Sequence, residues 1–249
     1  MPQNDRKKIM KVNVLGVNID DVQINEAIDL VKSWLKGREK HYIVTPNPEF
    51  VVKAQNDPEF KKVLNEADLA VPDGVGLNWF GGVKNRVPGV DLMEDLVKLG
   101  ADFGFTVGFL GGSEGIAEKT AVILKAKYPK LKVALTISGL TVNTKGEIVD
   151  EAKLSFSKSD LLFVAFGHGK QEKWIAQNLS KIPVKVAMGV GGSFNYLSGE
   201  VPRAPKWIRN LGLEWLFRLA TQPWRARRQL VLIQFVVLAL EKKFRSMLH

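Results

Sequence analysis

Asp73 is one residue of this 249-residue chain whose type and setting could do chemistry. It stands in VPDGVG at the end of an apolar run, flanked by a proline and by two glycines that let a ligand approach the backbone. A carboxylate there can serve as a general base, although Asp before Gly is more commonly a turn or cap residue. Thr45 and Asn47, in TPNP, carry the same two readings: substrate-positioning residues or turn formers. Gln171, in GHGKQEKW, either faces a ligand or simply opens a helix. GGSEG at 111–115 suggests a different chemistry, because it fits G-x-S-x-G and would make Ser113 a nucleophile. The histidine it needs must come later in the chain, where only His168 and the terminal His249 stand. A phosphate-cradling turn that feeds a helix explains the same glycines better.

Other chemistries are excluded by what is missing. There is no Cys, so thiolate zinc sites, disulfide scaffolds and cysteine nucleophiles fall away, and a reducing, intracellular setting is expected. Three His make a histidine-rich metal site a poor expectation. The chain lacks G-x-x-x-x-G-K-[ST], which removes the P-loop class. After GFLGGSEG the next strand ends TISGL with no acid, which argues against nicotinamide binding but leaves nucleotides in general open.

These loops need a scaffold that brings them together. Residues 9–19 read as a strand or hairpin, NEAIDLVKSWLKG as a helix with a glycine stop, and HYIVT as a strand running into TPNPEF. EFVVKAQNDPEFKKVLNEA is helical with a break at Pro58, and DLAVPDGVG is a further strand and glycine loop. Three later units repeat the strand, glycine turn and helix order: FTVGFLGGSEG with IAEKTAVILKAKY, DLLFVAFGHG with KQEKWIAQNL, and VKVAMGVGG with SFNYLSG. Alternating strands and helices predict an α/β fold, a mostly parallel, Rossmann-like sheet with helices on both faces. Ligands in such sheets sit beyond the carboxyl ends of the strands. That places Gly111, Gly112, Gly167, Gly169, Gly191 and Gly192 in candidate nucleotide-binding loops.

The last fifth differs in kind. From Glu200 to His249 there are ten Lys and Arg against three Glu, so most of the formal net charge of +10 belongs to this stretch. It also holds Trp207, Trp215 and Trp224. Its apolar run, Leu230 to Leu240, is about half the ~20 residues that a spanning helix requires. Alone, that run reads as a C-terminal helix packed on the core; its basic, Trp-rich surroundings point instead to the membrane interface. A nucleic-acid groove fits poorly beside so apolar a segment. The N-terminus, MPQNDRKKIMKVNVLGV, lacks the continuous apolar segment of a secretory signal. The expected division is therefore an α/β catalytic domain over 1–199 and a helical, membrane-binding appendage over 200–249.

TPNPEF, ADLAVPDGVG, RVPGVDL, GFLGG, FGHGKQEKWI, GVGGSF and VPRAPKWIRNLGLEWLFRL occur in this order along nearly the whole chain. That set resembles the WecG/TagA/CpsF family of glycosyltransferases, most nearly its TagA branch. The resemblance implies transfer of N-acetylmannosamine from UDP to lipid-linked N-acetylglucosamine, with an N-acetylmannosaminuronic acid donor or a non-catalytic nucleotide-binding module as the alternatives. It further implies Asp73 as the base, and Thr45, Asn47, Arg86, Gln171, Arg218, Arg225 and Arg228 as substrate-binding residues. The partners would be a UDP-sugar, a polyprenyl-diphosphate acceptor and the inner face of the cytoplasmic membrane, with homo-oligomerisation left open and no nucleic acid. No D-x-D signature is present, so arginines rather than a metal are expected to stabilise the leaving diphosphate, and no cofactor is expected. Arg218, Arg225 and Arg228, spaced seven and three apart, would share a helical face if the Gln222–Pro223 step did not break the helix. Two positions depart from the family pattern: Asn195, where Asp is commoner, and His168, where Pro is.

Overall fold

The computed structural model describes residues 9–149, 156–222 and 226–247. Strands β1 (Met10–Val14) and β2 (Val17–Asp21) form an antiparallel hairpin apart from the main sheet. The main sheet contains β3 (His41–Val44), β4 (Leu69–Ala70), β5 (Thr106–Gly111), β6 (Lys132–Ile137), β7 (Ser159–Ala165) and β8 (Val184–Gly189). Its order is β4-β3-β8-β7-β5-β6, and every pairing is parallel. The connecting helices are α1 (Ile24–Lys36), α2 (Pro48–Asn56), α3 (Pro58–Asn65), α4 (Gly76–Phe80), α5 (Gly89–Phe103), α6 (Ile116–Lys127), α7 (Lys170–Asn178) and α8 (Ser193–Leu197). Three more follow: α9 (Lys206–Asn210), α10 (Glu214–Thr221) and α11 (Ala226–Met247).

Successive strand residues point to opposite faces, and the cores divide accordingly. Ile43, Leu69, Phe109, Phe163 and Met188 pack with residues of α1, α5 and α6. Leu110, Leu162, Val164 and Ala187 pack with Trp174 and Ile175 of α7, while Val44 and Ala70 join α2 and α3. The sheet is thus covered on both faces, as its apolar strands require.

Two helices near the cleft start by the same device. In Asn47-Pro48-Glu49-Phe50 and Asp57-Pro58-Glu59-Phe60 the first side chain accepts the phenylalanine N–H, at 3.0 and 2.9 Å, and proline occupies the first helical position. The strand read over DLAVPDGVG is shorter than its apolar run, because pairing to β3 stops at Ala70. Beyond it, Val71 still donates to Val44, Pro72 has no N–H to give, and Asp73 donates to the carbonyl of Pro46 at 2.8 Å. The chain thereby peels away from the sheet and leaves Asp73 at its carboxyl edge.

The single helical face for the three arginines does not form. α10 ends at Thr221, Gln222 has φ −136° and ψ 71°, and a separate helix begins at Ala226. A residue before proline is pushed out of the α region by the proline ring, which is the reason for the break. Arg225 lies outside the described residues, and only the backbone of Arg228 lies within them.

Candidate active site

Two neighbouring hollows open at the carboxyl ends of β3, β4, β7 and β8, where β3 meets the strand arriving from the other half of the sheet. Asp73, Asn47, Glu49 and Arg218 line both. One lobe adds Arg86, Glu214 and Trp215; the other adds Thr45, Gln171, His168, Asn195, Tyr196 and the Gly167 and Gly191–Gly192 turns. Asp73 therefore sits in the wall that the lobes share.

Burial pushes the Asp73 carboxyl up to about 6, against the pull of the Arg218 charge, the Gly89 N–H and Arg86, with Glu214 adding to the rise. A base whose affinity for protons lies near neutrality is both ionised in the cell and able to accept a proton. Gly89 is part of this arrangement, since a Cβ there would come within 3.3 Å of Asp73 Oδ2 and 3.2 Å of Thr45 Cγ2. Any larger residue would press on the carboxylate.

Arg218 is held by Glu214, at 2.9 Å one helical turn earlier, and lies over the Tyr196 ring with its guanidinium carbon 4.7 Å from the ring centre. Its buried Nε has no hydrogen-bond partner among the described residues. Such a group favours an anion in the cleft. Arg86 reaches the carbonyl of Arg209 at 3.0 Å, and Arg203 and Arg209 pair with Asp91 at 2.5 and 3.4 Å. Part of the basic C-terminal stretch is therefore engaged with the α/β body.

The other expected residues divide. Asn47 lines both lobes while its Oδ1 caps α2, so the side-chain amide hydrogens are what it can offer a ligand. Gln171 is buried; its Oε1 accepts from Gly191 N at 3.0 Å and its Nε2 donates to Glu172 at 2.6 Å. It ties together two glycine turns. Gly111 and Gly112 line neither lobe, and the Gly112 N–H donates to Ala165 while its carbonyl accepts from Gly139. Gly169 also lies outside both lobes. Its N–H donates to the buried Glu172. Ser113 lines a separate hollow with Glu114, Lys119 and Glu200, whereas His168 stacks on Phe50 with ring centres 4.3 Å apart. The two do not form a nucleophile and base. Asn195 lines the rim common to that hollow and the second lobe.

Glu172 was not visible as a site residue in the sequence. It is fully buried, and burial raises its carboxyl to about 7 despite hydrogen bonds from Gln171 and Gly169 and the charge of Lys53. A raised acid binds more protons folded than unfolded, so between its ordinary value of 4.5 and about 7 it makes stability fall as pH rises. Above that window the loss is complete. Glu172→Gln removes the titration: relative to the native chain, the variant gains melting temperature between about pH 5 and about pH 8. Parallel thermal unfolding curves test this, and an unchanged difference across that range refutes it.

A parallel α/β sheet that sets a carboxylate in the wall between two lobes, with a guanidinium beside it, is an arrangement able to take a proton and to hold an anion. The glycosyl transferase WecG/TagA/CpsF family model matches residues 12–248, and the chain belongs to that family. A Bacillus spizizenii protein named N-acetylglucosaminyldiphosphoundecaprenol N-acetyl-beta-D-mannosaminyltransferase is 33% identical over 217 residues, covering 85% of this chain and 83% of the relative. Proteins of the same name from Staphylococcus aureus, 28% identical over 225 residues, and Bacillus subtilis, 29% over 224, cover 88% and 85% of this chain and 87% and 86% of their own lengths.

Proposed function

We propose that this chain is an inverting glycosyltransferase that moves N-acetylmannosamine from its UDP donor to the C4 hydroxyl of N-acetylglucosamine on undecaprenyl diphosphate, within synthesis of the wall teichoic acid linkage unit. The observation that carries the reading is Asp73, raised toward neutrality in the wall between two lobes with Arg218 beside it. The name shared by the relatives supports the transferred sugar and the acceptor.

A UDP-sugar is α-linked and a β-mannosaminide is the product, so one direct displacement inverts the anomeric carbon. The acceptor oxygen bonds to that carbon as its proton passes to Asp73, and the bond to the UDP oxygen breaks. UDP leaves with increased negative charge. Arg218 and Arg86, which line one lobe with Asp73, offset it in this reading, and the family resemblance adds Arg225 and Arg228 to that set. Thr45, Asn47 and Gln171 orient the sugars or the loops around them.

The acceptor is anchored in a bilayer, and among the described residues no helix is long and apolar enough to cross one. The enzyme works from the inner face of the cytoplasmic membrane, docking through the C-terminal stretch. Phe235 of α11 is buried against α2 and α4, and burying a phenylalanine is worth about 1.5–3 kcal/mol. The opposite face of α11 shows Leu230, Ile233, Val237, Leu240 and Phe244 to solvent at helical spacing. That stripe, with basic residues worth roughly 1 kcal/mol each near anionic lipid, suits an interfacial helix.

Turnover with several UDP-sugars and a lipid-diphosphate acceptor, with and without EDTA, tests the assignment. UDP-N-acetylmannosamine is the expected donor and activity survives EDTA, because paired guanidinium hydrogen bonds hold the diphosphate. Preference for the uronic acid donor moves the chain to another branch. Absence of transfer with every sugar leaves a binding module, and a strict, reversible magnesium or manganese requirement refutes the arginine mechanism.

A further inference from the structure

Beside the lobe that holds Asp73 and Arg86 lies a second depression of different chemistry. It has a volume of about 480 Å³, within the range of small-molecule pockets, and its lining is almost wholly carbon. Trp79 and Phe80 of α4 form one side, and Ile233 and Val236 of α11 the other. Pro48, Gly74, Val75, Trp215 and Leu232 line both this groove and the catalytic lobe, so the two are continuous. The floor is tight at Gly76, where a Cβ would come within 2.7 Å of Pro48 Cγ. Trp79 and Ile233 are 57% and 62% exposed, large apolar surfaces left uncovered on one contiguous patch.

We infer that this groove seats the first isoprene units of the acceptor's polyprenyl chain. The inference rests on the glycosyl-transfer reading for the acceptor's chemistry, and on the groove for its place. Such an acceptor presents, in order, a reacting hydroxyl, a sugar, a diphosphate and a hydrocarbon. The protein presents the Asp73 carboxylate in the cleft and, where Val75, Trp215 and Leu232 carry the cleft wall onward, a channel walled by aromatic and aliphatic carbon. A polar cleft that continues into an apolar groove matches the two ends of that sequence, the reacting sugar and the hydrocarbon. Ile233 belongs both to the groove wall and to the exposed stripe of α11, so the chain passes from the groove onto the face that meets the bilayer. Withdrawing the first units from the membrane would otherwise expose hydrocarbon to water, and the groove offsets that cost.

The test uses the full chain in detergent micelles with two acceptors that share the N-acetylglucosamine diphosphate head: one carries undecaprenyl, the other a methyl group. Trp79→Ser and Ile233→Ser, singly and together, are expected to lower the ratio of kcat/KM for the undecaprenyl acceptor to that for the methyl acceptor by at least about tenfold, equivalent to about 1.4 kcal/mol. The change falls on the KM of the long acceptor, and Trp79→Phe restores it. Unfolding curves taken alongside confirm that the variants fold. An unchanged ratio overturns the inference; if vesicle binding is lost at the same time, the patch touches bilayer lipid only. A native enzyme that uses both acceptors equally well also overturns the groove while leaving the glycosyl-transfer reading intact. A native enzyme that transfers to neither overturns both.

Discussion

Asp73→Asn is expected to lose about 10²- to 10⁴-fold in turnover, the usual contribution of a general base, with donor binding and folding retained. The amide is nearly isosteric with the carboxyl and cannot accept the hydroxyl proton. It also relieves the burial that raises the acid, so the fold has no reason to suffer. The native enzyme should show a matching signature. Asp73 must be ionised to act, so kcat/KM rises with pH through about 6 and levels off above it. That limb disappears in the variant. Near-normal turnover by Asp73→Asn, or a native profile flat through this range, would transfer the role to another group or to the substrate itself.

Arg218→Gln carries the second large effect. Removing one donor aimed at developing negative charge typically costs about 10²- to 10³-fold in kcat, and Arg218 borders both lobes. The loss should appear with a short, water-soluble acceptor as well as with a lipid acceptor, since it arises in the cleft and not at the membrane. A second readout follows from the electrostatics. The Arg218 charge is the strongest influence holding Asp73 down, so its removal shifts the acid limb of the residual activity above 6, whereas Glu214→Gln shifts it below. Full activity of Arg218→Gln on the soluble acceptor would make this arginine part of a lipid anchor and nothing more.

Much of the fold is legible in the sequence for local reasons. A strand buried on both sides must be apolar along its length, and a turn that needs positive φ needs glycine, so β5, β7 and β8 with their Gly111, Gly167 and Gly191 turns announce themselves. The repeated Asn-Pro-Glu-Phe and Asp-Pro-Glu-Phe starts of α2 and α3 are equally local, since each cap is satisfied within three residues. The family, and with it Asp73, Thr45 and Asn47 as candidates, follows from motifs that lie within single loops.

What the tertiary structure decided lies between segments far apart in the chain. Glu172 looks like an ordinary helix-start acid, and only the packing of α7 under the β8 turn buries it and makes Gln171 a link to Gly191. Gly111 and Gly112 share the signature of the other glycine turns yet stand outside the cleft, because strand order, which no short motif encodes, puts β3 and β8 side by side. Arg218 enters the wall of both lobes because α10 folds back over Tyr196 and the Asp73 loop, while the proline after Gln222 ends its helix and denies the arginines a common face. Sequence by itself fixes preferences whose energy is local: turn geometry, caps and the apolar faces of strands. The raised proton affinity of Asp73, the two lobes and the groove beside them depend on desolvation and charge summed over distant residues, and those are set only when the chain is folded.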